Sequence, residues 1–251
     1  MAGHSQFANI KHRKGAQDKK RANLFTKLAR EIIVAAKSGL PEPDHNPRLR
    51  LAISAARARS MPKDRIEAAI KKAIGNQAGD DFESIRYEGY AAGGVAIIVE
   101  ALSDNRNRTA SDVRSTFSKF GGNLGETGSV SFGFEKLGVF KYPKSIAGDE
   151  KIFEVAIEAG ADDCQSFDDH HEIICSVENF GEVQKLISSK LGDPESGKFE
   201  WRAKNEMEVD FETAEKVENL IDKLEDLDDV QEVFSNHTYS DAVAERLNVN
   251  G

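Results

Sequence analysis

The sequence has only two cysteines and no long apolar run. Cys164 and Cys175 stand eleven positions apart on predicted strands, without the close pairing of a zinc knuckle or a redox motif, and we interpret both as small buried residues. No apolar run approaches the roughly 20 residues that span a bilayer, and the first residues lack the apolar stretch of a secretory signal. We therefore expect a cytoplasmic protein with no membrane partner.

The glycine-rich stretches and the histidines lack the spacing of catalytic and metal-binding motifs. GGVAII, residues 93–98, has no G-x-G-x-x-G pattern, while GGNLGETGS, residues 121–129, has neither the lysine nor the helix of a phosphate-binding loop. DDHHE, residues 168–172, is predicted at a hairpin tip, with no second cluster of metal ligands elsewhere. We expect no enzyme activity, catalytic residue, metal, cofactor or small-molecule substrate. A phosphate-binding enzyme is a minor alternative.

Positive charge is scarce over most of the chain, whose formal net charge is −9, but it is concentrated in the first part. Residues 1–75 contain 17 Lys and Arg against 6 Asp and Glu, whereas the remainder contains 17 against 37. Opposite charge in two parts of one chain indicates that the basic part contacts nucleic acid or, less often, a membrane. The alternative is a solvated helix face, but such faces usually mix charges of both signs.

Helical signals fill this basic part. Apolar residues recur at spacings of three and four between about Ala16 and Lys37. Asn46 followed by Pro47 predicts an N-cap and first turn for a second helix, and a third helix is predicted between Pro62 and Gly75. The three helices are rich in alanine and bury little area, so their stability is expected to depend on a partner or a neighbouring domain.

The cations of these helices are the candidate contacts to nucleic acid. On the first helix, Lys19, Arg30 and Lys37 fall on the side opposite the apolar stripe. The candidate contact residues are Lys11, His12, Arg13, Lys14, Lys19, Lys20, Arg21, Lys27, Arg30, Arg48, Arg50 and Arg57. Side chains of this type neutralise backbone phosphates without reading sequence.

After residue 76 the pattern changes to strands and helices. Strands are predicted near residues 85–91 and 93–102, a helix from Thr109 to Phe120, and strand again from Gly128 to Tyr142. From about Gly138 the order strand, helix, strand, strand, helix, strand is typical of a ferredoxin-like domain.

The predicted fold is α+β and multidomain, with a three-helix bundle and two α/β sandwich domains, the third domain being inserted in the second. The predicted domains are a basic helical bundle (1–78), an α+β domain (79–136 plus 206–240), an inserted ferredoxin-like domain (137–205) and a C-terminal tail (241–251).

NRNRT, residues 105–109, is a candidate for a second contact. Asn105, Arg106, Asn107 and Arg108 directly precede the predicted helix, where backbone N–H groups and the helix dipole favour an anion such as phosphate or RNA backbone. In the alternative, Asn107 or Thr109 caps the helix and the arginines bind protein carboxylates. The sequence leaves both interpretations open.

Several stretches resemble the YebC/PmpR family of probable transcriptional regulators, which is related to a mitochondrial translational activator of cytochrome c oxidase. The stretches are GHSQFANIKHRKGAQDKKR, NPRLRLAI, MPKDRIEAAIKKA, YEGYAAGGVAIIVEALSDNRNRTASDVRSTFSKFGGNLGETGSVSF and VQEVFSNH. The resemblance implies three domains, a cytoplasmic location, DNA as the partner and a role in transcription regulation, without enzyme activity. The alternative partner is rRNA or the ribosome, with a role in translation.

Overall fold

The computed structural model describes residues 14–75 and 81–250, and the side chains of residues 20–75 and 81–247. The described residues form two compact units. One unit contains residues 14–27, Asp81–Glu135 and 202–250, and the other contains residues 28–75 and Lys136–Trp201. The two are called the first unit and the second unit. The predicted domain boundaries stay a prediction.

Three initial helices are followed by pairs of strands that are separated by single helices. The helices are α1 (Lys14–Lys37), α2 (Pro47–Ala58), α3 (Lys63–Ile74), α4 (Arg106–Lys119), α5 (Asp149–Glu158), α6 (Phe180–Leu191), α7 (Phe211–Glu225) and α8 (Asp241–Asn250). The strands are β1 (Glu83–Tyr90), β2 (Ala96–Ser103), β3 (Asn123–Leu124), β4 (Phe134–Pro143), β5 (Asp163–Ser166), β6 (His170–Ser176), β7 (Ser196–Ala203), β8 (Met207–Glu208), β9 (Val230–Ser235) and β10 (His237–Thr238). This content confirms the predicted α+β multidomain fold.

The first unit contains a four-stranded sheet in the order β3-β1-β2-β9. All three strand pairs are antiparallel. Residues of β2 that alternate along the strand, Ile97 and Val99, are fully buried with Phe117 of α4 and Leu220 of α7. Because one face of the sheet is apolar, α4 and α7 pack on it and form the core of this unit.

The second unit contains a four-stranded sheet in the order β5-β6-β4-β7, with α5 and α6. Together with the chain order, this strand order is that of a ferredoxin-like domain, as the sequence predicted. The hairpin of β5 and β6 is also confirmed, with Ser166 paired to His171 across it. Cys175 is buried as predicted, whereas Cys164 is only half-buried, and burial raises the pKa of both thiols to about 11.

Helix α2 contributes to the core of the second unit. Leu51 is 5% exposed and lies in one cluster with Phe140, Tyr142 and Ile152 of the ferredoxin-like segment. At Gly197 of β7, an added Cβ would approach Phe140 Cδ1 to 2.7 Å and Leu51 Cδ1 to 3.0 Å. The absence of a side chain at Gly197 therefore allows α2 to pack closely against this sheet.

Asn46 joins α1 to α2 within the second unit. Its Oδ1 accepts a hydrogen bond from Leu49 N at 3.0 Å, which confirms the predicted N-cap. Its Nδ2 donates to the carbonyl oxygens of Ala35 and Leu40, each at 2.8 Å. One buried amide thus satisfies backbone groups of both helices and of the loop between them.

Replacing Asn46 with alanine is expected to lower the free energy of unfolding by about 2 kcal/mol, since a lost N-cap and lost buried hydrogen bonds each cost about 1 kcal/mol. Asn46→Ser is the matched control, because a serine hydroxyl can still cap α2 but cannot reach both carbonyls. Urea denaturation should place the serine variant between the native protein and the alanine variant. Equal losses in the two variants would contradict a separate contribution from the Nδ2 contacts.

Two predicted elements have a type of structure other than the one predicted. Residues 128–133, predicted as strand, form a loop with a short 3-10 turn at Ser131–Gly133, and the strand begins at Phe134. The reason is that buried Glu88 accepts hydrogen bonds from the N–H groups of Val130 and Ser131, which are therefore not available to a sheet.

The second difference is at the end of the chain. Residues 241–250, predicted as part of a tail, form α8, since Val243 and Leu247 pack on the core of the first unit. Among the described residues, no helix combines the length and the apolar character needed to cross a bilayer.

Candidate nucleic-acid interface

The first half of α1 contains the beginning of the predicted interface. Lys11, His12 and Arg13 lie outside the described residues, and Lys14 and Lys19 are described only as helical backbone. Lys20 and Arg21 are exposed, and the Arg21 guanidinium lies 5.3 Å from the centre of the Phe25 ring. Stacking on Phe25 orients the Arg21 side chain while its charge stays in solvent.

Lys27 has a structural contact within the first unit. Its Nζ donates to the carbonyl oxygen of Glu225 at 2.7 Å, and Asn23 Nδ2 donates to that of Asp226 at 3.2 Å. These carbonyls end α7, where the helix dipole favours a cation. Burial lowers the pKa of Lys27, although nearby carboxylates led by Glu225 oppose that shift. We conclude that Lys27 and Asn23 cap α7.

The remaining predicted cations lie in the second unit and differ in their contacts. Arg48 is bound to the Glu31 carboxylate at 2.9 Å, and Arg50 Nε lies 3.5 Å from Asp193. Arg57, in the last turn of α2, is exposed, and Arg30 is half-buried. Carboxylate partners reduce the charge that Arg48 and Arg50 offer to a ligand, so Arg57 is the strongest candidate for a phosphate contact among the predicted α2 residues.

Five exposed cations close to α2 and on α3 were left out of the prediction. They are Arg59, Lys63, Arg65, Lys71 and Lys72. Lys63 forms an ion pair with Glu67 at 3.6 Å, whereas Lys71 and Lys72 lie in the last turn of α3. The sequence could have indicated the cations of α3, since MPKDRIEAAIKKA places them off the apolar stripe of the helix.

The NRNRT segment begins α4. Asn105 is its N-cap, because its Oδ1 accepts from Arg108 N at 3.1 Å, and the helix begins at Arg106. The predicted start at Thr109 was three residues late, and neither Asn107 nor Thr109 is the cap. Arg106 and Asn107 are exposed, and the Arg106 carbonyl accepts from the Tyr87 hydroxyl at 3.4 Å.

Arg108 is bound by two carboxylates. Its Nη2 lies 2.7 Å from Asp104 Oδ1 and 2.8 Å from Asp229 Oδ2, and these hydrogen bonds, Asp229 first, raise the pKa of the guanidinium. Asp229 Oδ2 also accepts from the hydroxyls of Thr109 at 2.6 Å and Ser103 at 3.1 Å. For Arg108 these contacts favour the alternative in which the arginine is structural.

Models of known families match most of the chain. Residues 5–76 match the TACO1/YebC protein N-terminal domain, and residues 82–237 match the TACO1/YebC second and third domain. The chain belongs to the TACO1/YebC family. The predicted resemblance is thereby confirmed, and the role of the family is generally regulator-like.

A solved structure supports the same assignment. The chain is similar to Aq1575 from Aquifex aeolicus, a conserved hypothetical protein, with 45% sequence identity and a TM-score of 0.82. The alignment covers 94% of this chain and 98% of Aq1575. The similarity extends over nearly the whole of both chains, and therefore includes the ferredoxin-like segment.

In this member of the TACO1/YebC family, the candidate interface offers point charges for an anionic polymer. Lysine and arginine on helix surfaces bind phosphate oxygens, and exposed side chains can do so without rearrangement of the core. Within residues 14–75 and 81–250, no three His, Cys, Asp or Glu side chains are arranged to hold a metal ion.

Proposed function

We propose that the protein is a non-enzymatic, cytoplasmic regulator of gene expression that binds DNA through its basic N-terminal helices and regulates transcription. The observation that carries the proposal is the set of exposed cations on helices with few carboxylates, with Lys20 and Arg21 in the first unit and Arg57, Lys71 and Lys72 in the second. Membership of a regulator-like family supports it.

Phosphate contact is the proposed mode of binding. Each lysine or arginine that neutralises a phosphate releases condensed counterions, so affinity depends steeply on salt concentration. Such contacts position the protein on the polymer and carry no sequence information themselves. The acidic remainder of the chain opposes unspecific accumulation on nucleic acid, because it repels phosphate.

Binding to ribosomal RNA, with a role in translation, is a second candidate. The distribution of the cations favours it, because they occur on α1, α2 and α3 and are not concentrated on one recognition helix. Folded RNA presents phosphates in irregular arrangements that suit dispersed contacts. Crosslinking in cells, followed by sequencing of both DNA and RNA, would distinguish the two polymers by the one that carries the footprint.

Removal of single charges tests the phosphate contacts. We expect Arg57→Gln, or Lys20→Gln, to reduce the slope of log affinity against log salt concentration by roughly 0.7 to 0.9, equally on all sequences. Arg48→Gln should change the slope less, because Arg48 is already paired with Glu31. The measurement is fluorescence anisotropy on a DNA duplex and an rRNA fragment over a series of salt concentrations.

Lys185→Gln is the matched control, since Lys185 is exposed on α6 in the acidic part of the chain. Its slope of log affinity against log salt concentration should equal that of the native protein. An affinity that does not depend on salt, or equal effects of Lys185→Gln and Arg57→Gln, would contradict the proposed mode of binding.

A further inference from the structure

Phe132 is a large apolar side chain in solvent. It is 73% exposed, more than any other large hydrophobic residue in the described part of the chain. It lies at the centre of the 3-10 turn Ser131–Gly133, which follows β3 and precedes β4 in the chain. An aromatic ring normally contributes to stability through burial, and Phe132 makes little contribution of this kind.

The backbone that presents Phe132 is held before and after the ring. Glu88 Oε2 accepts from Val130 N and Ser131 N, each at 2.9 Å, and the Tyr90 hydroxyl donates to the Ser129 carbonyl at 2.9 Å. The buried carboxylate of Glu88, which is 1% exposed, therefore holds the backbone of the loop in place.

Lys204, the residue after β7, holds the carbonyl groups of the same turn. Its Nζ donates to the Phe132 carbonyl at 3.0 Å, and its backbone N–H donates to the Gly133 carbonyl at 2.9 Å. A ring on a loop that is already ordered loses little conformational entropy when it binds a ligand. The Phe132 ring is thus preorganised for a contact outside the molecule.

The surroundings of the ring indicate the kind of ligand. The loop that precedes Phe132 in the chain has exposed polar side chains at Glu126 and Thr127, and Lys204, whose Nζ contacts the Phe132 carbonyl, is exposed as well. A protein partner usually requires a contiguous apolar patch around such an aromatic residue. A nucleobase requires only the face of one ring, with a cation nearby for the adjoining phosphate.

We propose that Phe132 stacks on an unpaired nucleobase of a single strand and that Lys204 contacts the phosphate next to that base. The proposal rests on the proposed nucleic-acid-binding function and adds a contact outside the basic helices. Bases in a duplex are stacked on one another, so the site selects single-stranded segments. Single-stranded RNA and single-stranded DNA share this chemistry.

Substitutions at Phe132 in the full-length protein test the stacking. We expect Phe132→Leu and Phe132→Ala to weaken binding of short oligouridylate and oligothymidylate about tenfold or more, because stacking on an aromatic side chain contributes that much per base. Phe132→Trp should keep the affinity, and its fluorescence should be quenched by the oligonucleotide. Affinity for duplex DNA should be equal in all variants.

The controls separate this contact from the basic helices. The fluorescence of the native protein gives the background from Trp201. Equal midpoints of thermal unfolding show that the variants fold. Lys204→Gln keeps a donor for the Phe132 carbonyl and should reduce the salt slope on single strands by roughly 0.7. Stronger quenching by oligouridylate than by oligothymidylate would identify RNA as the strand, and the reverse would identify DNA.

Several results would overturn the proposal. Equal single-strand affinity of Phe132→Leu and the native protein would show that Phe132 makes an apolar contact with a protein or no contact. The same conclusion follows if Phe132→Trp fluorescence does not respond to either oligonucleotide. If Arg57→Gln and Lys20→Gln lose affinity for single strands while the Phe132 variants do not, only the stacking proposal fails. If the native protein binds no nucleic acid, both proposals fail.

Discussion

Replacing Asp229 with alanine is expected to lower the free energy of unfolding by about 3 to 5 kcal/mol, because two buried hydroxyls lose a charged acceptor at about 1 to 3 kcal/mol each. Asp229 is 6% exposed, and its Oδ2 accepts from Arg108, Thr109 and Ser103. The substitution leaves two buried hydroxyls and one guanidinium without this acceptor. Urea denaturation of the full-length protein measures the loss.

Arg108→Gln tests whether Arg108 stabilises the fold or binds an anion. Because Arg108 is 46% exposed, solvent replaces its contacts, and we expect a loss of less than about 1 kcal/mol. Its affinity for nucleic acid should remain that of the native protein, since both carboxylates already neutralise the guanidinium. A fall in affinity with unchanged stability would contradict the structural role and would favour the predicted anion contact at NRNRT.

Replacing Glu88 with alanine is the second change for which we expect a large effect, again about 3 to 5 kcal/mol. The buried carboxylate accepts from two backbone N–H groups of the 128–131 segment and lies 3.0 Å from Arg86 Nε. Alanine would leave the two backbone N–H groups without this acceptor. Glu88→Gln is the matched control, because it keeps one acceptor oxygen and most of the volume, and should lose less.

Glu88 also gives stability a defined dependence on pH. Burial by itself would raise the pKa of Glu88, but the N–H groups of Val130, Gly128 and Ser131, with Arg86, hold it below its usual value. The stabilisation is therefore complete above the unfolded pKa, about 4.3, and is lost as pH falls through the lower folded value. Below pH 4 the native protein should lose stability more steeply than Glu88→Gln. Parallel curves for the two proteins would show that Glu88 does not titrate as described.

Much of the fold follows from local signals in the sequence. Asn46 and Pro47 begin α2 as predicted, and Gly75 is the C-cap of α3 as predicted. The ferredoxin-like order was recognisable because strand and helix periods alternate clearly between residues 138 and 203. Signals of this kind depend on residues within one turn or one strand, which the sequence displays directly.

The sequence could not reveal contacts between distant residues. Lys27 was predicted to contact phosphate, but its partner is the end of α7, 198 positions away in the chain. In the sequence, Arg108 suits a bound anion and a protein carboxylate equally. The structure places Asp229, 121 positions away, beside it. Phe132 fell within a predicted strand, and only the buried carboxylate of Glu88 explains why it lies on a loop.

The order β5-β6-β4-β7 has a consequence for the entropy of the first unit. Because β4 and β7 are neighbours, the chain leaves the first unit and returns to it at adjacent points, where Lys204 N donates to the Gly133 carbonyl. Closing a flexible loop of about 70 residues costs about 2.5 kcal/mol more than closing a four-residue turn, at about 0.6 kcal/mol per doubling. Formation of the ferredoxin-like sheet brings the two ends of this segment together and so includes that entropy cost. The first unit then folds with the closure entropy of a short turn at this point.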